Sequence, residues 1–143
     1  MDNQDTIASI MTKELVTCDI NDSLQKVSNL FAEYHIRHMP ITSEGKLIGI
    51  VSKTDIMRIS FGNIYGEDQI DADHAILDML SINQVMKHSP VSVEAHQLIS
   101  DASRIFTEHE FHALPVIQND QLAGIVTTTD VISYYAQKES TLV

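Results

Sequence analysis

The sequence has no tryptophan, one cysteine, and nine lysines and arginines against 20 aspartates and glutamates. Each scarcity excludes something. A lone Cys18 permits no intrachain disulfide, so the 143 residues must be held by a packed core. A formal charge of −11 repels a phosphate backbone over most of the surface and argues against nucleic acid as a partner. No apolar run approaches the roughly 20 residues a bilayer span requires. Residues 1–11 are polar and acidic, without the basic flank and apolar run of a signal peptide. The expectation is a cytoplasmic protein with no membrane partner. What is present suits a globular domain: 43% hydrophobic and 20% charged residues.

The few cations are unevenly placed. Lys13, Lys26, Arg37, Lys46, Lys53 and Arg58 lie between residues 10 and 59, whereas residues 85–134 hold only Lys87 and Arg104. An anionic small ligand therefore finds positive charge chiefly in the first half. The two stretches just compared are copies. A shift of 75 residues lays 10–59 on 85–134 without a gap and makes 12 of the 50 positions identical, among them Met11/Met86, Pro40/Pro115, Gly49/Gly124 and Asp55/Asp130. Ordinary composition would give roughly three by chance.

Both copies read alike. A β-branched stretch (16–18, 91–93) predicts a strand. Asn21 or Asp22 then caps a helix whose apolar face is Leu24, Val27, Leu30, Phe31 and Tyr34; the second copy has Leu98, Ile99, Ala102, Ile105 and Phe106. A strand follows around Met39-Pro40-Ile41 or Leu114-Pro115-Val116, then a turn at 43–46 or 118–121. The last strand, 47–51 or 122–126, runs into a helix opening at Ser52 or Thr127. The fold class is therefore α/β (α+β), β-α-β-β-α twice. Two such small sheets bury their apolar faces against each other by an approximate two-fold, leaving two equivalent clefts. The expected organisation is 7–59 for repeat one, 60–81 for a connector, 82–136 for repeat two and 137–143 for a frayed tail. In the connector, Phe61 to Gly66 reads as a loop, and Asp73 as the cap of a short helix carrying Ala75, Ile76, Leu77, Met79 and Leu80.

Gly49-Ile50-Val51-Ser52-Lys53-Thr54-Asp55 and Gly124-Ile125-Val126-Thr127-Thr128-Thr129-Asp130 resemble the G-h-h-[ST]-x-x-D signature of the cystathionine-β-synthase (CBS) domain. Arg37-His38-Met39-Pro40-Ile41 and His112-Ala113-Leu114-Pro115-Val116 resemble its preceding strand, and Ile10-Met11 and Val85-Met86 its opening. The resemblance covers about 100 of 143 residues. It implies a tandem pair, a Bateman module, that binds adenosine-containing ligands in its clefts, dimerises, and regulates a separate effector without doing chemistry. The regulatory ligand would be an adenine nucleotide (AMP, ADP or ATP) or S-adenosylmethionine, with no obligatory cofactor. By the resemblance, Asp130 and Thr127, with Thr129, hold ribose and phosphate in one cleft. Thr12, Val16, Thr17, Arg37 and His38 complete it. Asp55, Ser52 and Thr54 serve the other, completed by Lys87, Val91, Ser92, His112 and Ala113. Arg37 on one side and His112 on the other predict that the Asp130 cleft favours phosphorylated adenosine.

Other readings use the same residues. Ser52-x-x-Asp55 and Thr127-x-x-Asp130 are also capping-box patterns, and a constitutive dimerisation module with empty clefts would keep both. Arg37 has Glu33 one helical turn away. His35-x-x-His38 and His109-x-x-His112 have helix-compatible metal spacing, but the duplication sets His35 against Glu110 and His109 against Tyr34. No nucleophile elbow supports a hydrolase. Cys18, opposite Val93, reads as an apolar filler, and Met11, Met39, Met57, Met79 and Met86 as core.

Overall fold

The computed structural model describes residues 5–59 and 75–141; the expected loop at 61–66 and the cap Asp73 lie outside them. The chain forms two compact units, a middle unit of Val16–Pro90 and a terminal unit of Met1–Leu15 with Val91–Val143. The middle unit contains β1 (Cys18–Asp19), α1 (Leu24–Tyr34), β2 (His38–Ser43), β3 (Lys46–Ser52) and α2 (Lys53–Ile59). A helical stretch at 75–79 (α3), α4 (Ile82–Val85) and β4 (Lys87–His88) complete it. The sheet order is β1-β2-β3-β4, with β1 parallel to β2 and the other pairs antiparallel. The terminal unit contains a 3-10 turn (Ile7–Ser9), β5 (Val93–Glu94), α5 (Ile99–Glu108), β6 (Ala113–Gln118), β7 (Gln121–Thr127) and α6 (Thr128–Thr141). Its sheet order is β5-β6-β7. The duplicated β-α-β-β-α order is present in full.

Local chemistry explains most of these elements. The β2–β3 hairpin turns on Glu44 (φ 51°) and Gly45 (φ 81°), and the β6–β7 hairpin on Asn119 (φ 53°) and Asp120 (φ 64°). Two successive positive φ values are the backbone a tight antiparallel hairpin demands. Pro40 is tolerated inside β2 because β1 reaches only Ile41 and Thr42, so no ladder partner on that side needs the missing N–H. The first strands start later than their β-branched stretches suggest. Cys18 and Asp19 oppose Ile41 and Thr42, and Val93 and Glu94 oppose Val116 and Ile117, so β2 and β6 set the register.

The cap of α1 is Ser23, whose Oγ accepts the Lys26 N–H at 3.0 Å, and neither Asn21 nor Asp22. Asp22 closes the preceding turn instead, accepting the Asp19 N–H at 2.8 Å and the Lys26 ammonium at 3.0 Å. These two donors hold the Asp22 carboxyl below the usual carboxylate range, the backbone N–H contributing most. In α5 the cap position is Leu98, whose N–H donates to Asp101 Oδ2 at 3.0 Å. Tyr34, assigned to the buried face of α1, is 53% exposed at the helix end.

The core of the middle unit gathers Cys18, Leu24, Val27, Phe31, Met39, Ile41, Val51 and Ile56 with Leu77, Ile82 and Met86. That of the terminal unit gathers Val93, Ile99, Ala102, Leu114, Val116, Val126 and Val131 with Ile7. The segment leading into the first strand of each repeat therefore packs in the other repeat's unit. Burial pushes the Cys18 thiol up, as an apolar filler requires. Of the methionines expected in the core, Met39 and Met86 are buried and Met11 half-buried, but Met57 (55%) and Met79 (81%) face solvent on short helices with one buried residue between them and the core. Of the tail expected to fray, Lys138 to Thr141 belong to α6, and Lys138 reaches Asp5 at 3.6 Å.

Candidate functional site

In each unit one strand runs directly into a helix at the Ser/Thr-x-x-Asp sequence. In the middle unit Ser52 Oγ accepts the Asp55 N–H at 3.0 Å, and the Ser52 N–H donates to Asp55 Oδ2 at 3.0 Å. In the terminal unit Thr127 Oγ1 accepts the Asp130 N–H at 3.1 Å, and the Thr127 N–H donates to Asp130 Oδ2 at 2.9 Å. Both are complete capping boxes. The Lys53 N–H donates to the Arg37 carbonyl at 2.8 Å, and the Thr128 N–H to the His112 carbonyl at 3.0 Å. His38 and Ala113 lie opposite Ser52 and Thr127 across their hairpins. With the first and third N–H groups of the helix engaged, the Thr54 and Thr129 N–H groups are left to partners outside the helix. The hydroxyls of Ser52 and Thr127 accept within the box and keep a hydrogen to donate.

A second backbone segment flanks each turn, β4 in the middle unit and an isolated bridge at Thr12 in the terminal unit. In the middle unit Lys87 stands opposite Ile50 and His88 opposite Gly49. Cross-strand partners share a face, so Lys87 lies on the face of Ile50 and Ser52. In the terminal unit the Thr12 N–H donates to the Ile125 carbonyl at 2.8 Å, and the Ile125 N–H returns to the Thr12 carbonyl at 3.1 Å. Two glycines make this approach possible. A Cβ on Gly124 would lie 2.7 Å from Met11 Sδ and 2.8 Å from the Thr12 carbonyl; one on Gly49 would strike Met86 Sδ and lie 3.1 Å from the Lys87 carbonyl. The signature glycine thus admits the exchanged segment. Sequence reading missed this, although a glycine inside a strand is a signal for close approach of another backbone.

The structure brings Ser52, Thr54, Asp55 and Lys87 together in the middle unit, and Thr12, Thr127, Thr129 and Asp130 in the terminal unit. Arg37, His38, Val16 and Thr17 belong to the middle unit; His112, Ala113, Val91 and Ser92 belong to the terminal unit. Lys53, Thr54, Lys87, Thr12 and Thr129 are exposed, while Ser52, Asp55, Thr127 and Asp130 are half-buried. The two turns differ electrostatically. Asp55 Oδ1 has Arg58 Nη1 at 3.9 Å, and Ser133 takes Arg58's place beside Asp130.

His35 and His109 take backbone and stacking roles. His35 ends α1 at φ 54°, and His109 stacks on Phe111 with ring centroids 4.9 Å apart. Among the described residues no group of three or more His, Cys, Asp or Glu could hold a metal ion, and no helix is long and apolar enough to cross a membrane.

A family model described as CBS domain matches residues 7–62 and 82–137. The chain is 22% identical over 138 residues to the uncharacterized protein MJ1225 of Methanocaldococcus jannaschii, covering 95% of this chain and 49% of that protein. It spans about a third to a half of the length of the first curated relatives it matches. Its fold is similar to that of CBSX2 in complex with AMP, with a TM-score of 0.78, 22% identity, and coverage of 94% of this chain and 98% of that chain. It is similar also to the CBS domain pair of protein MJ0100 in complex with 5′-methylthioadenosine and S-adenosyl-L-methionine. There the TM-score is 0.75 with 20% identity, over 93% of this chain and 97% of that one.

Proposed function

The chain belongs to the CBS-domain family, and from that premise we propose that it is a non-catalytic regulatory module for adenosine-containing ligands. AMP, ADP, ATP and S-adenosylmethionine define the ligand class, and the two Ser/Thr-x-x-Asp turns are the sites. The observation that carries this reading is the duplication of one construction. Each turn offers an outward threonine N–H, a hydroxyl and a carboxylate, beside a backbone segment that a glycine lets in. Those groups suit a phosphate and a pair of ribose hydroxyls. The similar folds of CBSX2 with AMP and of the MJ0100 pair with two adenosyl ligands lend support. Asp55, Ser52, Thr54 and Lys87 serve one ligand and Asp130, Thr127, Thr129 and Thr12 the other. The allotment of Val16, Thr17, Arg37, His38, Val91, Ser92, His112 and Ala113 follows from the family resemblance. The module acts as a homodimer on a separate effector protein.

Thermal unfolding with AMP, ADP, ATP and S-adenosylmethionine tests the reading. A ligand at 100 times its Kd adds about 2.7 kcal/mol to a native state that alone binds it. Calorimetry on Asp55→Ala and Asp130→Ala should then remove one binding event each. Both substitutions also remove a cap at a cost of about 1 kcal/mol, so titrations belong well below the melting transition.

One observation favours a second reading, a constitutive dimerisation module. Each carboxylate already satisfies its own box without a ligand. No heat and no thermal shift with any of the four ligands would establish that reading over the first.

A further inference from the structure

The terminal unit holds residues 5–12 as a strap laid across the 95–98 turn, β7 and α6. Tyr134 donates its hydroxyl hydrogen to Asp5 Oδ1, and Lys138 Nζ lies 3.6 Å from the same oxygen. Thr6 bridges to Leu98, the Ile7 N–H donates to the Gln97 carbonyl at 2.8 Å, and the Ala8 N–H to the Ala95 carbonyl at 3.0 Å. Ile7 is wholly buried. Met11 fills the space over Gly124, and Thr12 exchanges two hydrogen bonds with Ile125. The strap therefore grips the β7–α6 element on both sides of the Thr127–Asp130 turn. Its end holds the strand two residues before Thr127, and its start holds the helix one and two turns beyond Asp130.

We propose that docking of this strap is coupled to ligand occupancy of the Thr127–Asp130 turn: an adenosyl ligand bound there fastens the strap, and release of the strap weakens the ligand. The proposal rests on the functional reading above. Thr12 supplies the physical link, since it belongs to both the strap and the rim of the turn. A ligand touching Thr12, Thr129 and Asp130 binds the docked state and has less to hold in the undocked one. Such a differential affinity shifts the strap equilibrium, and the shift is reciprocal by linkage.

The test uses the full chain with Asp55→Ala, so that only one turn is read, and AMP as the probe. Hydrogen exchange at the Ile7, Ala8 and Thr12 amides should slow about fivefold at saturating AMP, the lower end of ordinary coupling. Asp5→Ala, outside the Thr127–Asp130 turn and its rim, should weaken AMP by a similar factor. Tyr134→Phe should do the same, and the double variant should lose no more than either alone, which separates the strap from a local effect on α6. If AMP binds and Asp130→Ala abolishes it, yet strap exchange and the Asp5→Ala affinity stay unchanged, the coupling is refuted and the functional reading stands. If Asp130→Ala has no effect on AMP affinity, the reading of this turn fails and the coupling falls with it.

Discussion

At Gly124 one added methyl group would meet the Met11 sulfur and the Thr12 carbonyl, whereas at Gly49 the nearest obstacle is the flexible Met86 side chain. Backbone yields less readily than the end of a methionine. Gly124→Ala should therefore cost about 2 kcal/mol and Gly49→Ala about 1 kcal/mol, within the range of overpacked cores; urea unfolding of both variants checks the order. The Ser52–Asp55 and Thr127–Asp130 boxes were legible in the sequence because partners three residues apart need no knowledge of the fold. The partners of the two glycines were not, because Met11 and Met86 arrive from distant parts of the chain. The exposure of Met57 and Met79 was equally hidden: hydrophobicity marks residues suited to a core, and the room in it is set by tertiary packing.

At the scale of elements, hairpins and helices followed from turn residues and apolar spacing, but the first strands and the α1 cap did not. Adjacent Asp22 and Ser23 both favour a cap, and the choice went to Ser23 because Asp22 is engaged by the Asp19 N–H. The strap adds a pH dependence. The Tyr134 hydroxyl, with Lys138 assisting, holds the Asp5 carboxyl below its usual range. The same hydrogen bond raises the Tyr134 phenol, and bonding to Tyr134 with the charge of Asp5 raises the Lys138 ammonium. Docking thus favours a charged Asp5 and protonated Tyr134 and Lys138. Its contribution is full between the ordinary carboxylate and phenol ranges, and is withdrawn as pH falls below about 4 or rises above about 10. Methyl resonances of Ile7 followed from about pH 3 to about pH 11 should show both limbs, and Asp5→Asn should abolish the acid one.

For the whole molecule, the duplication disclosed the order and type of the repeated elements, because identical residues at one shift imply equivalent structure; α4, β4 and the 3-10 turn lie outside what it disclosed. It could not disclose that leading segments are exchanged, since self-similarity shows which segments correspond and not which ones touch. The exchange makes the natural cutting points differ from the repeat boundaries. A fragment of residues 16–90 keeps Leu77, Ile82 and Met86 in its core and should fold, whereas 7–59 lacks all three and should not. Circular dichroism and thermal melts of the two fragments decide the matter.

Threading the chain through its two units in this way orders the events of its synthesis. The middle unit can close once Pro90 has left the ribosome, but the berth for Ile7 is not finished until Val126 and Val131 have been made. At roughly 5 to 20 residues per second the delay is about 2 to 8 seconds. For that interval the Ile7 side chain stays uncovered, within reach of chaperones and of neighbouring nascent chains.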